Sequence, residues 1–383
     1  MTEKRKRGKK AAAGATDNSG TVANYKVHQS LLIRLNEDED SRTWYGYGKN
    51  LPGRNSTIVS DPRKSSDKSN LELVQKYRGL ADTIYAREVQ LFGKESGVSK
   101  SDQRWVENAM RKGTLKDRIA AMSVTVSTDP MHKFYALDGL LQMAGCSDTG
   151  GQTNSRVAQL TAEALEDLFM NTFLPSDRKL YRLNQRPLYR YEPGKNGQKP
   201  KSSLSPKVLL LWRFEEMVKD KYELFMSKYL AKTLQDGVEM QKISALRSAA
   251  ALLRSVPEGE GQLLSIMVNK VGDPMKKTAA AAAHELRRVL QVHPAMQVVI
   301  AREVQQLAHR PHLAPRALYN CIVFLNQLKL QQEEPVAGKQ TLPTSLITTY
   351  FRLFEVAVQQ SQSKKKDDSG EEGMKSRLLS ALL

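Results

Sequence analysis

The stretch from Ile266 to Leu330 constrains the fold of this 383-residue chain more than any other, because helical periodicity alternates there with proline-bearing turns. Asp273 and Pro274 have the chemistry of a helix start, since a carboxylate can cap free amides and proline lacks the amide that would go unbonded. The alanine run that follows favours helix. Apolar residues then recur at spacings of three and four, which places them on one helix face. They are Ala282, Leu286 and Val289, and His293 continues the same stripe.

Two further helices follow in the same stretch, after turns at Pro294 and Pro311. Their apolar faces are formed by Ile300, Val304 and Leu307, and by Leu318, Cys321, Ile322, Leu325 and Leu328. Helices separated by proline-bearing turns, at about 35 to 45 residues per unit, have the spacing of HEAT-like repeats, in which each unit packs on its neighbours. The sequence therefore predicts an all-α fold, a HEAT- or armadillo-like helical-repeat solenoid with repeats at 70–175 and 207–383.

Residues 1–69 are rich in Gly, Ser, Asn and Asp and show weak hydrophobic periodicity, which predicts a disordered basic arm before the helices. Within it, Val27 to Leu35 is interpreted as a helical turn or a docking peptide. Trp44 and Tyr45 suggest an aromatic anchor for the arm on a folded partner. A second low-complexity segment is predicted as an insert at 359–373.

The N-terminal basic run predicts a nuclear-localisation signal, although such runs are also common in disordered tails. Its residues are Lys4, Arg5, Lys6, Arg7, Lys9 and Lys10. No apolar run follows these charges, so the run is not a secretory signal. The chain also lacks the roughly 18 consecutive apolar residues that a membrane-spanning helix needs, and no membrane partner is expected.

Lys and Arg number 59 against 41 Asp and Glu, a formal net charge of +18. A surplus of this size favours an anionic partner, nucleic acid more often than a membrane surface. A general solubilising charge is the alternative. The two cysteines, Cys146 and Cys321, are far apart in the sequence, which excludes a disulfide framework and indicates a reducing compartment.

The segment from Ser176 to Pro206 combines basic residues with tyrosines, and it is interpreted as a loop with too little apolar content to form a core. Cations neutralise phosphates and tyrosine rings stack on unpaired bases, so the segment is the candidate RNA-binding site. The candidates are Arg178, Lys179, Tyr181, Arg182, Arg186, Tyr189, Arg190, Tyr191, Lys195, Lys199 and Lys201. In the alternative, the segment is a solvated loop whose Arg178 and Lys179 cap the preceding helix.

No catalytic constellation is recognisable, so we expect no enzyme, no cofactor, no metal site and no small-molecule substrate. The acidic run from Glu37 to Asp40 is interpreted as a solvated linker, because adjacent carboxylates on a flexible loop cannot hold octahedral geometry. His309 and His312 flank Pro311 in a turn and are expected to cap helix ends. Phosphate-binding, dinucleotide, nucleophile-elbow and kinase motifs are absent.

Six blocks of the sequence, in order, resemble those of the CCAAT-binding-factor or nucleolar-complex family, over roughly 77–383. They read LEDLFMNTFLPSDRKL, VLLLWRFEEMVKDKYELF, LLSIMVNKVGDP, ALYNCIVFLNQL, LITTYFRLF and MKSRLLSALL. The resemblance implies an α-solenoid and a nucleolar assembly factor for the large (60S) ribosomal subunit. It also implies contact with pre-ribosomal RNA in pre-60S particles and a heterodimer with a second member of the family.

The family's older name implies an alternative, a transcription factor that binds the CCAAT box of DNA. The sequence shows no zinc finger, basic zipper or homeodomain pattern, which favours the ribosome-assembly role.

Family members continue beyond the last block, so we expect this chain to be part of a longer protein. The last block is therefore predicted to join a further helical stack or a partner interface. Its candidate contact residues are Met374, Leu378, Leu379, Leu382 and Leu383.

Overall fold

A computed structural model describes residues 28–35, 43–47, 49–57, 68–95, 100–146, 154–192, 204–330, 341–363, 376–378 and 380–381. These ranges contain helices, turns and irregular segments but no β-strand, so the chain has the all-α fold that the periodicity predicts. Across the same ranges, no helix combines the length and the apolar character needed to cross a membrane.

The helices follow one another along the chain, and two of them continue into π-helical turns. The first six are α1 (Lys68–Glu95), α2 (Lys100–Lys112), α3 (Leu115–Thr128), α4 (Tyr135–Met143), α5 (Ser155–Leu168, extended by the π turn Phe169–Phe173) and α6 (Pro206–Leu224, extended by the π turn Phe225–Ala231). The others are α7 (Lys232–Asp236), α8 (Glu239–Ser255), α9 (Glu260–Val271), α10 (Lys276–Val292), α11 (Gln297–Ala308), α12 (Pro315–Asn326) and α13 (Leu342–Ser363).

Helix α6 is the centre of the N-terminal half, and it is buried on almost all sides. A helix that is apolar around most of its circumference must be enclosed by other elements, and α1 packs along α6 as one of them. Its Phe214 ring meets Phe134 edge-on at 5.2 Å between centroids, and Tyr222 meets Phe169 at 5.0 Å. These aromatic contacts join α6 to the end of α5 and to the loop before α4, so one core spans this half.

In the C-terminal half, helices pack in succession along the chain. Helix α8 contacts α10, α9 contacts both α10 and α11, and α11 contacts α12 and α13. The faces predicted for α10, α11 and α12 are confirmed, because most of their apolar residues are buried. These are Ala282, Leu286, Val289, Ile300, Val304, Leu307, Cys321, Ile322 and Leu325.

Helix α10 begins at Lys276 rather than at Pro274, two residues later than predicted. Asp273 is buried, and its Oδ1 accepts a hydrogen bond from the Met275 amide at 3.0 Å. Its Oδ2 lies 3.1 Å from Lys270 Nζ. The carboxylate therefore stabilises the turn before the helix and forms an ion pair with Lys270, instead of capping the helix directly.

The prediction of a disordered arm is wrong for part of residues 1–69, because the described residues 28–35, 43–47 and 49–57 pack on the helices. We call them the strap. Ile33, Trp44 and Arg54 are buried, and the Trp44 indole donates to the Phe173 carbonyl at 3.1 Å. Trp44 does anchor the segment, but onto this chain's own helices. The strap has no regular secondary structure, so its packing leaves no periodic signal in the sequence.

Glu88 of α1 holds the first part of the strap. This buried carboxylate accepts hydrogen bonds from the amides of Leu32 at 2.9 Å and Ile33 at 2.8 Å, and it lies 3.0 Å from His28 Nε2. Burial alone would raise the pKa of Glu88, but its contact with His132 and the two amides outweigh burial and lower it. The charged form of Glu88 is therefore the form that fixes the strap.

His132 supplies a positive charge beside Glu88. Its Nδ1 lies 2.7 Å from Asp129 Oδ2, its Nε2 lies 3.6 Å from Glu88 Oε1, and its ring stacks on Phe92. Burial disfavours the imidazolium, yet the two carboxylates outweigh burial and raise the pKa of His132 to about 9. His132 is therefore protonated at neutral pH in the folded chain.

We expect Glu88→Gln to release the strap, because a buried carboxylate that accepts several hydrogen bonds is replaced by a neutral amide. The free energy of unfolding should fall by about 3 kcal/mol, as for other buried charge pairs that lose one partner. Urea denaturation measures this change, and limited proteolysis should cut residues 28–57 faster. Glu72→Gln, on an exposed position of the same helix, is the control. Equal stability of the two variants would contradict the role of Glu88.

The raised pKa of His132 predicts how stability depends on pH. Because the pKa of His132 is higher in the folded chain than in the unfolded chain, protonation of His132 stabilises the fold. This contribution is complete below pH 6.5, the pKa of His132 in the unfolded chain, and it is lost as the pH rises through about 9. Thermal denaturation between pH 6 and 10 should show a decline of up to about 3 kcal/mol that His132→Asn reduces. A variant with the same pH profile as the parent would rule out His132 as the cause.

Candidate nucleic-acid interface

The basic segment is part of the folded core over its described residues, 176–192. Leu180, Leu183 and Leu188 are buried, so the expectation that the segment has too little apolar content to join a core is wrong. Short 3-10 turns at Leu183–Gln185 and Leu188–Tyr191 replace longer helices. The three leucines are too few to establish a period, and Pro187 interrupts any helix before Leu188, so the pattern gives no sign of their burial.

The buried carboxylate of Glu215 on α6 contacts both the basic segment and the strap. Three guanidinium groups contact it: Arg178 Nη1 at 2.6 Å, Arg186 Nη2 at 2.8 Å and Arg54 Nη1 at 3.1 Å. The Tyr181 amide also donates to Glu215 Oε1 at 3.0 Å. Two of the predicted RNA-binding arginines therefore have a carboxylate partner inside the protein.

The charges in this cluster depend strongly on one another. Burial favours the neutral acid, but the charges of Arg186, Arg178 and Arg54 outweigh burial and lower the pKa of Glu215. Burial also lowers the pKa of Arg186 to about 10, although the charge of Glu215 opposes that effect. Arg186 is still charged at neutral pH, and its charge is balanced within the fold.

Arg186 also links the segment to the strap and to the aromatic core, and only 2% of its surface is exposed. Its guanidinium carbon lies 5.0 Å from the centre of the Tyr181 ring and 5.1 Å from that of Trp212, and Nη1 donates to the Ser56 carbonyl at 3.0 Å. The Trp212 indole donates to the Arg54 carbonyl at 2.9 Å. Arg186 is a structural residue in this arrangement.

Two other candidates form ion pairs nearer the surface. Arg182 lies 2.6 Å from both Asp220 and Glu223 on α6, and Lys179 lies 2.5 Å from Glu260 on α9. Exposed pairs of this kind contribute about 0–1 kcal/mol and exchange readily for other partners. Lys179 and Arg182 can therefore still meet an external anion at low energetic cost.

The outer edge of the segment is formed by Tyr189 and Arg190. Tyr189 is 58% exposed, and the guanidinium carbon of exposed Arg190 lies 5.9 Å from the centre of its ring. Tyr191 is half-buried against Trp212, with ring centres 6.2 Å apart. Of the three predicted tyrosines, Tyr189 therefore presents the most accessible ring.

The remaining predicted residues fall mainly on parts of the chain outside the described ranges. These are Lys195, Lys199 and Lys201, the six residues of the nuclear-localisation run, and Met374, Leu379, Leu382 and Leu383. Leu378 is described and is only 5% exposed, so this chain covers it. The nearby Ala381 carbonyl accepts a hydrogen bond from the Asn326 side chain at 2.8 Å.

Within the described ranges, no group of three or more His, Cys, Asp or Glu side chains is placed to hold a metal ion. His293 contacts the Arg254 carbonyl at 2.9 Å through Nε2. Burial raises the pKa of Cys146 and Cys321 to about 12, so both thiols stay protonated and unreactive. Neither thiol has the low pKa of a nucleophile.

Glu215 and Arg54 were not among the predicted site residues. One signal for Glu215 was present, because Glu215 and Glu216 interrupt an almost continuous apolar run from Val208 to Val218. Charges on a helix that is enclosed on all sides require paired cations. Arg78 and Arg213 pair with Glu216, at 2.7 and 3.0 Å, as the arginines described above pair with Glu215.

We expect Glu215→Gln to destabilise the protein by about 3–5 kcal/mol, because buried guanidinium groups would lose their counter-charge. Chemical denaturation measures the loss. The matched control is Glu223→Gln, which removes one exposed partner of Arg182 and should cost no more than about 1 kcal/mol. If the two variants were equally stable, Glu215 would not be the organising charge of the segment.

Several known proteins are similar to this chain over most of its length. No family model matches the chain. It is 32% identical to nucleolar complex protein 1 of Drosophila melanogaster over 335 residues, which cover 87% of this chain and 26% of the relative. It is 33% identical to human CCAAT/enhancer-binding protein zeta over 313 residues, or 82% of this chain and 27% of the relative.

A third relative, ribosome biogenesis protein NOC1 of Chaetomium thermophilum, is 31% identical over 66% of this chain and 24% of its own length. The chain thus spans about a quarter of the length of these relatives. The three alignments agree with the resemblance of the six sequence blocks. The chain belongs to the CCAAT-binding-factor or nucleolar-complex family.

Proposed function

We propose that this chain is a non-catalytic assembly factor of the large (60S) ribosomal subunit, acting in the nucleus and nucleolus. The names of its relatives, nucleolar complex protein 1 and ribosome biogenesis protein NOC1, support a nucleolar role in ribosome biogenesis. The formal net charge of +18 fits a partner as anionic as pre-ribosomal RNA. In this role the chain holds pre-ribosomal RNA and a second nucleolar-complex protein in pre-60S particles.

The scaffold is a helical-repeat solenoid over its C-terminal half. Support comes from the packing order, since α8 lies against α10, α9 against α11 and α11 against α13. Contacts between every second helix are expected where successive hairpins stack on one another. A stacked array of this kind offers long surfaces to several partners at once.

The RNA contact is the outer edge of the basic segment, and the observation that carries it is the exposed Tyr189–Arg190 pair on a rigid base. Tyrosine stacks on an unpaired base while arginine neutralises the adjacent phosphate. The buried arginines act differently, because Arg178 and Arg186 hold the segment on Glu215. They fix the shape of the edge before RNA binds, and Lys179 adds a second exposed cation.

The heterodimer contact is assigned to the terminal block, through Met374, Leu379, Leu382 and Leu383. Leu378 is removed from this set because the chain's own helices bury it. A partner of the same family brings similar helices, so its apolar surfaces are suited to continue the stack.

The RNA contact is tested with Lys179→Ser plus Arg190→Ser and, separately, with Tyr189→Ala, leaving Arg186 in place. Each lost phosphate contact should flatten the log–log salt dependence by about 0.7, so the double variant should lose about 1.4. Tyr189→Ala should weaken binding by about 1–3 kcal/mol with little change in slope. Binding to a single-stranded pre-ribosomal RNA fragment, followed by fluorescence anisotropy, measures both effects.

The control is Arg302→Ser plus Arg316→Ser, which removes two exposed cations far along the chain from the segment. Its salt slope and affinity should match those of the parent protein. Unchanged binding in the segment variants would remove the segment from the interface. Stronger competition by duplex DNA that carries a CCAAT box than by pre-ribosomal RNA would favour a transcription factor instead.

A further inference from the structure

Trp105 is the most conspicuous exposed aromatic side chain in the described ranges. It is 72% exposed on α2, whereas the other two tryptophans of the chain, Trp44 and Trp212, are fully buried. An exposed indole contributes nothing to a core, and its flat ring remains free to stack on another planar group. The position of Trp105 therefore calls for an explanation other than folding.

The surroundings of Trp105 are basic and polar. Arg104, Asn108, Arg111 and Lys112 are exposed on the same side of α2, because steps of three, four and seven residues return to one helix face. Lys116 is exposed in the first turn of α3, just beyond the loop. We call these five residues and Trp105 the α2 face. Its four cations have no acidic partner among the described residues.

The acidic residues of α2 and α3 form no ion pair with these cations, although they are exposed. Asp102 and Glu107 line a cavity of about 230 Å³ enclosed by α1, α2, α3 and the start of α4. Asp117 closes the N-terminal cap of α3, where its Oδ2 accepts from the Thr114 hydroxyl at 2.5 Å. The α2 face thus carries four cations around an accessible indole, with exposed Glu107 at its edge as the one acidic side chain at helical spacing from Arg104 and Arg111.

We propose that the α2 face is a second binding surface for single-stranded nucleic acid, with Trp105 stacking on a base and the four cations contacting phosphates. Stacking on an aromatic ring beside a positive groove is the general mode of single-strand binding. From Arg104 to Lys112 the face is about 12 Å long at the helical rise of 1.5 Å per residue. Asn108 lies between the cations and offers an amide to a base edge.

The composition of the face favours nucleic acid over an acidic protein. A tryptophan at the centre of a protein interface is usually enclosed by residues that exclude water from it. The other members of the α2 face are Arg104, Asn108, Arg111, Lys112 and Lys116, none of which is apolar. The surface therefore offers a ring for stacking and positive charges, but no apolar residues that would exclude water around Trp105. It is separate from the basic segment, and its assignment does not depend on that segment.

Because Trp105 is exposed, binding to the α2 face can be measured directly by tryptophan fluorescence in the whole 383-residue chain. Because the other tryptophans are buried, quenching of tryptophan fluorescence by added oligouridylate reports on Trp105. We expect saturable quenching that weakens as salt rises. Changing Arg104, Arg111 and Lys112 to Ser should flatten the log–log salt dependence of this signal by about 2.

Trp105→Ala tests the stacking with fluorescently labelled oligouridylate and anisotropy as the readout. Its affinity should fall at least about fivefold, while Trp105→Phe should keep part of the affinity because it keeps an aromatic ring. An exposed side chain leaves the fold intact, so the urea midpoint of both variants should match that of the parent.

The matched control changes Arg302, Arg310 and Arg316 to Ser, which removes three exposed cations from a region without an exposed indole. It should leave Trp105 quenching unchanged, as should the Tyr189 and Arg190 variants of the basic segment. Absence of quenching by oligouridylate would overturn the proposal, and so would an unchanged affinity of Trp105→Ala. Quenching by polyglutamate but not by oligouridylate would also overturn it, since the face would then bind acidic protein.

Discussion

A single buried carboxylate, Glu215, determines how the N-terminal half of this protein is assembled. It is contacted by Arg54 from the strap and by Arg178 and Arg186 from the basic segment. Removing one member of such a group leaves other buried charges without balance, so the group is stable only when complete. The strap, the segment and α6 therefore fold as one unit, and an irregular surface edge gains the rigidity of the core.

This arrangement divides the basic residues of the protein into two groups. Arg186 is charged but enclosed, so its charge is balanced by Glu215 and does not reach a partner. Tyr189 with Arg190, and Trp105 with its neighbouring cations, meet solvent directly. Two exposed aromatic–basic surfaces, one on the segment and one on α2, fit the proposal of a scaffold that holds RNA at several points. Several weak contacts on one strand raise the overall affinity without a single tight site.

The sequence was sufficient to predict the all-α fold and the buried faces of α10, α11 and α12, because those faces repeat with the period of the helix. It was insufficient for the strap, where Trp44 meets Phe173 across 129 residues of sequence with no local pattern. It also could not separate Arg186 from Arg190. Both are arginines in the same basic segment, and their burial depends on α6, which lies elsewhere in the sequence.

The contact between Arg54 and Glu215 also has a consequence for protein synthesis, since the two residues are 161 positions apart. A ribosome that adds about 5–20 residues per second needs about 8–30 s to make this interval. During that time Arg54 and Trp44 have been made but α6, which contacts both, has not, and only the first part of the strap already has its partner, Glu88 of α1. The core of the N-terminal half is therefore completed only after α6 is translated, and until then Trp44 is open to nascent-chain chaperones.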